Sequence, residues 1–119
     1  MPRYAVLIYW PEADQPEWGS PAFQKLAGSY AAFTEEIGKA GIMKSSEGLQ
    51  PTSNSTTVRV RDGKTLTTDG PFAETHEQLG GSWVFECNDL DEAISWAAKI
   101  PQAQYGSIEI RPLWQQGVK

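Results

Sequence analysis

Two stretches of helical periodicity, each with its own start and stop signals, divide this chain, and the segments around them carry the signals of strands and turns. Ser20-Pro21 reads as an N-cap followed by proline at the first helical position, where the missing N–H would have no partner anyway. From Ala22 to Ala40, the residues Phe23, Leu26, Tyr30, Phe33 and Ile37 recur every three or four positions, marking one helix face, and Gly41 ends it. The second helix is capped by Asp89 and spans Leu90 to Ile100. Leu90, Ala93, Ile94, Ala97 and Ala98 are expected to face inward, and Pro101 stops it.

The intervening segments alternate or run apolar, as strands do. Tyr4 to Trp10 (YAVLIYW) has the length and continuity of a buried central strand. A long loop from Pro11 to Pro21 follows, with Trp18 as its expected anchor. Ile42 to Leu49 is a weaker strand, and Pro51 to Ser55 a polar loop. Thr56 to Arg61 (TTVRVR) alternates branched and polar side chains as a half-exposed strand does. Asp62-Gly63 is a two-residue hairpin signal and Lys64 to Thr68 the returning arm. Ser82 to Cys87 (SWVFEC) predicts another buried strand, and Ser107 to Leu113 a last alternating one. With the hairpin set aside, the order is β-α-β-β-α-β, the ferredoxin-like pattern: an α+β fold with two helices on one face of an antiparallel sheet. Two helices cover one face only, which predicts a homodimer with two sheets packed face to face.

At 119 residues there is room for a single domain, taken as residues 1–114 with a frayed tail at 115–119. A formal charge of −5 with no Lys/Arg cluster argues against non-specific nucleic-acid binding, which rests on neutralising phosphates. No run approaches the roughly 20 apolar residues of a membrane helix, so a soluble, cytoplasmic protein is expected, with neither nucleic acid nor membrane as partner. The one cysteine, Cys87, leaves no internal disulfide and reads as a small buried hydrophobe. Five tryptophans are many for this length and point to a pocket or a dimer seam.

Candidate chemistry concentrates in Asp69 to Gly81 (DGPFAETHEQLGG), which holds three carboxylates, the single histidine, a Gly-Pro turn and a Gly-Gly pair. Asp69 is either a general base or orienting acid, desolvated beside Phe72 and Trp83, or a cap on the Asp-Gly-Pro turn. His76, with a neutral-range intrinsic pKa and acidic neighbours, is its possible proton-transfer partner or an exposed loop residue. Phe72 is a pocket floor or a core plug. Glu74 borders a ligand or caps a short helical turn. Tyr9, Trp10 and Trp83 sit where a barrel interior would be lined. Arg111 is placed to hold a carboxylate or phenolate, or to serve a surface ion pair. One histidine among carboxylates falls short of a zinc ligand set, so no metal is expected, and no cofactor.

Several blocks stand in a fixed order: EGLQP at Glu47 to Pro51, TTVRVRDG at Thr56 to Gly63, TDGPFAET and EQLGG within Thr68 to Gly81, DLDEA through to IP at Asp89 to Pro101, and SIEIRP at Ser107 to Pro112. In these the chain, from Arg3 to Trp114, resembles DGPF-domain proteins of the YCII-related family. The resemblance implies a dimeric α+β barrel of the muconolactone-isomerase-like and antibiotic-monooxygenase-like kind. Related proteins carry a His-Asp pair, and some of the wider group act as dehalogenating lyases. The histidine of that pair belongs near the first helix, where this chain has Tyr30, and His76 stands where the family commonly has Lys. Two functions follow as expectations. One is a small-molecule enzyme or binding protein, running cofactor-independent isomerisation, elimination or cyclisation of a small cyclic or aromatic metabolite. The other is a non-catalytic interaction or regulatory module whose DGPF loop is a clasp.

Overall fold

The computed structural model describes residues 1–114, and the tail expected at 115–119 lies outside them. The strands are β1 (Arg3–Trp10), β2 (Met43–Gly48), β3 (Thr56–Arg61), β4 (Lys64–Asp69), β5 (Gln78–Glu86) and β6 (Ser107–Pro112). The helices are α1 (Pro21–Ala40) and α2 (Leu90–Ala97). Short 3-10 turns occupy Glu12–Asp14, Thr52–Asn54 and Pro101–Gln104. β2, β5, β1 and β6 lie side by side in that order, with all three pairings antiparallel, while β3 and β4 form a separate two-stranded hairpin. This is the expected α+β arrangement of ferredoxin-like type with an inserted hairpin.

The punctuation acts as its chemistry dictates. Ser20 Oγ accepts from Phe23 N–H at 3.1 Å, and Gly41 adopts φ 73°, a left-handed conformation that glycine enters without strain. Asp89 accepts from Glu92 N–H at 2.8 Å, and the Glu92 carboxylate reaches back to Asn88 N–H at 2.7 Å. Asp62 and Gly63 both take positive φ, 52° and 74°, as the twist of a two-residue hairpin requires.

The core fills one side of the sheet. Tyr4, Val6 and Ile8 of β1 and Trp83 and Phe85 of β5 pack with Phe33 and Ile37 of α1, with Ala93 and Ala97 of α2, and with Ile100. Cys87 is fully buried among them, and burial pushes its thiol up. On the opposite side Ala5, Leu7, Tyr9, Val84 and Glu109 are only half-buried and Arg111 is exposed, with no other layer of the described residues over them. Among the described residues no helix is long and apolar enough to cross a membrane.

Four expectations need correction. β5 begins at Gln78 and not at Ser82, because Trp10 pairs with Gln78 and Tyr9 with Leu79, and Gly80 is bulged out between those pairs and Ile8–Gly81. The α2 helix ends at Ala97; Pro101 forces Ile100 into an extended conformation, ψ 126°, and the last turn tightens before it. Its inward face is Ala93, Trp96, Ala97 and Ile100, while Leu90 and Ile94 are about half exposed (47% and 49%) and Ala98 is exposed. Trp96, edge-on to Phe33 with ring centroids 6.5 Å apart, takes the core-side space that Leu90 and Ile94 would need. Trp18 is no buried anchor either; it stacks on Phe23 at the surface, centroids 4.6 Å apart.

The hairpin stands away from this body. The radius of gyration is 16.5 Å, against about 13.5 Å for a compact chain of this length.

Candidate functional site

Three chain segments meet at the root of the hairpin: the end of β1, the Leu49–Thr57 connection, and the DGPF segment from Pro71 to Leu79. They enclose a mainly apolar cleft of about 640 Å³. Tyr9, Leu49, Pro51, Phe72 and Leu79 give it apolar walls, and Thr57, Asn54, Gln50 and Glu77 supply polar groups. Its size and mixture suit a small organic ligand.

Side-chain clamps hold the segments in place. The Glu12 carboxylate, in the turn after β1, accepts from Thr52 N–H at 2.9 and 3.1 Å and from Thr52 Oγ1 at 3.1 Å. Glu12 N–H in turn donates to Gln78 Oε1 at 2.8 Å. The same Gln78 amide donates through Nε2 to Thr75 O, so one side chain joins the strand end to the DGPF loop. Lower down, Gly70 N–H donates to Ser55 O, and Thr57 Oγ1 donates to Gly70 O, each at 2.8 Å. Gly70 has φ 99°, a conformation open to glycine at little cost, so the turn needs this residue type. Hydrogen bonds to an ionised group are worth about 1.5–3 kcal/mol each, which makes Glu12 the strongest of these ties.

The sequence-predicted residues divide among several places. Tyr9 and Phe72 line the cleft, Phe72 as a largely exposed ring (77%) and not a core plug. Trp10, one residue on, points to the other side of the sheet and lines a second cleft. Trp83 lies in the core at 1% exposure, and its Nε1 donates to Tyr30 Oη at 3.0 Å. Tyr30 therefore occupies its place on α1 as a hydrogen-bond partner of the core indole, and burial raises its phenol pKa. Asp69 is the last residue of β4, opposite Thr56. Its carboxylate is exposed and accepts no side-chain hydrogen bond from the described residues, so it neither sits beside Trp83 nor caps the turn. Glu74 and His76 are exposed on the loop and line neither cleft. Arg111 pairs with Glu109 at 2.9 Å on the open sheet face, away from both clefts. Asp69, Glu74 and Glu77 do not converge: among the described residues no three His, Cys, Asp or Glu side chains are grouped to hold a metal ion.

Sequence reasoning passed over Glu12 and the Leu49–Thr57 segment. Glu12 bonds across 40 residues to Thr52, a contact no local pattern announces. Glu77, one of the three carboxylates in Asp69 to Gly81, is the one carboxylate among the residues lining this cleft.

The chain is 37% identical over 112 residues to an uncharacterized protein of Rhizobium meliloti (strain 1021), an alignment covering 92% of this chain and 90% of that one. The family model for the YCII-related domain matches residues 2–116. With nearly the whole sequence inside that match, the chain belongs to the YCII-related domain family.

Proposed function

We propose that this protein binds a small, mainly apolar organic molecule in the cleft beneath the DGPF loop. The observation that carries the reading is the cleft itself: about 640 Å³ of largely apolar space whose walls are pre-set by the Glu12, Gln78 and Gly70 hydrogen bonds. Tyr9 and Glu77 are its titratable lining groups, one phenol and one carboxylate. In its catalytic form the proposal is proton transfer on a cyclic or aromatic metabolite, with no cofactor: an isomerisation, elimination or cyclisation. Glu77 is then the carboxylate placed to exchange a proton with the bound molecule. Asp69 and His76, on the exposed rim of the same segment, take part only if ligand binding draws the loop inward.

The test is a fragment screen read by amide chemical shifts. Small cyclic ketones, lactones and phenols are expected to shift the amides of Thr57, Phe72 and Leu79, and Glu77→Gln is expected to abolish any turnover found. A folded protein whose amides at these positions ignore every fragment would end the binding proposal. Turnover that survives Glu77→Gln and vanishes in Asp69→Asn would move the chemistry back to the rim.

A second reading concerns the partner. In β3 and β4, Val58 and Val60 share one hairpin face with Thr65 and Thr67, while Arg59, Arg61, Lys64 and Leu66 share the other. Val58 and Val60 are 61% and 59% exposed, although their alternation is that of a half-buried strand. Isolated two-stranded hairpins are marginal in water, and the open sheet face is likewise uncovered. A homodimer in which the hairpin's valine face and the open sheet face are both covered by a second copy accounts for the two together. Wild-type protein at tens of micromolar is expected to sediment as a dimer and Val58→Asp/Val60→Asp as a monomer. A monomeric wild type would remove this reading. The clasp alternative for the DGPF loop is favoured by the two bonds at Gly70, which tie the hairpin root to the loop irrespective of any ligand.

A further inference from the structure

The last two residues of β1 serve different sides of the sheet. Tyr9 lines the DGPF cleft, whereas Trp10 lines a cleft of about 500 Å³ on the helix side, between the first turns of α1 and the 3-10 turn after α2. This second cleft exists because α1 buries only its C-terminal half: Phe33 and Ile37 are in the core, while Phe23 and Leu26 are only partly covered. The helix N-terminus thus overhangs the sheet and leaves a wedge. The Pro101–Gln104 turn closes the far side.

Two glycines make room for Trp10. A Cβ on Gly80 would stand 2.9 Å from the indole Nε1, and a Cβ on Gly106 would stand 2.7 Å from the Trp10 Cβ and 2.0 Å from Tyr9 O. Either Cβ would force a shift: Gly106, just before β6, lies against the Trp10 Cα and Cβ, and the edge of the indole lies on Gly80 of β5. Its ring is held in place and faces the wedge together with Leu26. The polar groups on the walls are unusual for this chain. Lys25 and Lys99 stand against a single carboxylate, Asp14, in a protein of net charge −5. Lys99 is partly engaged, with Glu36 at 2.5 Å and the Trp96 ring at 4.8 Å. Lys25 makes no ion pair with the described residues.

We infer that the Trp10 cleft is a second binding site, separate from the DGPF cleft, which takes a small aromatic anion with its ring against the indole and its carboxylate on Lys25. The indole presents a flat apolar surface to the ring, and the free ammonium is the group left to receive the charge. The site lies next to the DGPF cleft through one strand end: Glu12, two residues past Trp10, carries the clamp on Thr52 and Gln78. The inference stands independently of whether the DGPF cleft binds anything.

Naphthalene-2-carboxylate and its uncharged carboxamide are the probes, titrated into the full chain with the Trp10 indole N–H and the backbone amides followed by NMR. The carboxylate is expected to shift the Trp10 indole N–H and the amides of Ser29 and Gln104 saturably, and to bind more tightly than the carboxamide. Lys25→Gln, an exposed substitution that leaves the core alone, is expected to weaken the carboxylate by about threefold or more while leaving the carboxamide nearly unchanged. No saturable shift at Trp10 up to the solubility limit overturns the site. So does binding that moves only Thr57, Phe72 and Leu79, which would be a property of the DGPF cleft. An equal effect of Lys25→Gln on both probes overturns the assignment of the anion to Lys25.

Discussion

Tyr30→Phe removes a single oxygen, and the structure says what that oxygen holds. Trp83 is the largest fully buried side chain, and its Nε1 has one hydrogen-bond partner, Tyr30 Oη at 3.0 Å. Around it Phe33 stands edge-on at 5.4 Å and Phe85 at 6.1 Å, so the indole N–H has aromatic rings as its other neighbours. Removing the acceptor leaves a buried donor unsatisfied, which costs about 1–3 kcal/mol, whereas the ring of Phe keeps the packing of Tyr. For a domain of this size the unfolding entropy makes 1 kcal/mol worth about 4 °C. The expected loss is therefore about 4–12 °C in Tm. Urea melts followed by far-UV circular dichroism are the assay, since tryptophan fluorescence would itself change. The decisive measurement is a cycle with Trp83→Phe. Once the donor is gone, Tyr30→Phe should cost less than about 0.5 kcal/mol more. A loss below about 0.5 kcal/mol in the wild-type background would show that water replaces the hydroxyl, and an equal loss in both backgrounds would show that the cost does not come from the Trp83 bond; either would refute the reasoning.

Other outcomes follow from the same geometry. Glu12→Ala is expected to cost about 1.5–3 kcal/mol, because Thr52 N–H loses a charged acceptor; it should also weaken any ligand of the DGPF cleft, while Glu12→Gln retains part of both, as urea melts and titrations will show. Asp69→Asn is expected to move stability by no more than about 0.5 kcal/mol, since the carboxylate is exposed and has no side-chain hydrogen bond; a clear fall in Tm would revive the capping role. Gly106→Ala is expected to destabilise by about 3 kcal/mol, because its Cβ would meet Tyr9 O at 2.0 Å and neither backbone can yield cheaply. Burial raises the pKa values of Tyr30 and Cys87 above 10.0 and 9.0. The unfolded chain therefore releases these protons first, and stability is expected to fall as pH rises above about 9. A pH series of melts that stays flat to pH 11 would contradict this.

Helix ends, hairpin and strand order were legible because each is written locally. Ser20-Pro21, Gly41, Asp62-Gly63 and Asp89 act within a few residues of themselves, and the ferredoxin-like order follows once they are placed. What misled was phase and distance. Leu90 and Ile94 fit an inward stripe as well as Trp96 does, and only the presence of Phe33 across the core decides for Trp96. The Gly80-Gly81 pair looks like loop material, yet it lies within β5, where Gly81 pairs with Ile8 and Gly48 and the bulged Gly80 lies against the Trp10 indole. In the candidate site, composition drew attention to Asp69 and His76, the chemically versatile residues. The residues that line the cleft instead include Tyr9, at the end of β1, and Glu77, just before β5, while Asp69 stands at an exposed strand end. Residue type was a guide to which segment matters and a poor guide to which side chain within it faces the space.

A period-two pattern also reflects an environment, and the proposed homodimer would supply one for β3 that the described residues do not. In β1 and β5 the alternation matches what the chain builds: Val6, Ile8, Trp83 and Phe85 go to the helices. In β3 the same alternation, TTVRVR, puts Val58 and Val60 on a face that no described residue covers, on a hairpin held to the body only at its root. Val58 and Val60 share their face with Thr65 and Thr67, and at its end with Thr56 and Asp69, while Arg59, Arg61 and Lys64 stand with Leu66 on the other. A covering partner, as proposed above, would account for the valine face, and the open face of the main sheet, with Ala5, Leu7 and Val84 half-buried, has no cover among the described residues. In the proposed homodimer one second copy would cover both faces by symmetry, since whatever surface the first hairpin covers on its partner would be covered on itself in return. On that argument a charge at Val58 should act on the association equilibrium far more than on the fold of each copy. Dilution should then melt the wild type at lower temperature and leave Val58→Asp unaffected.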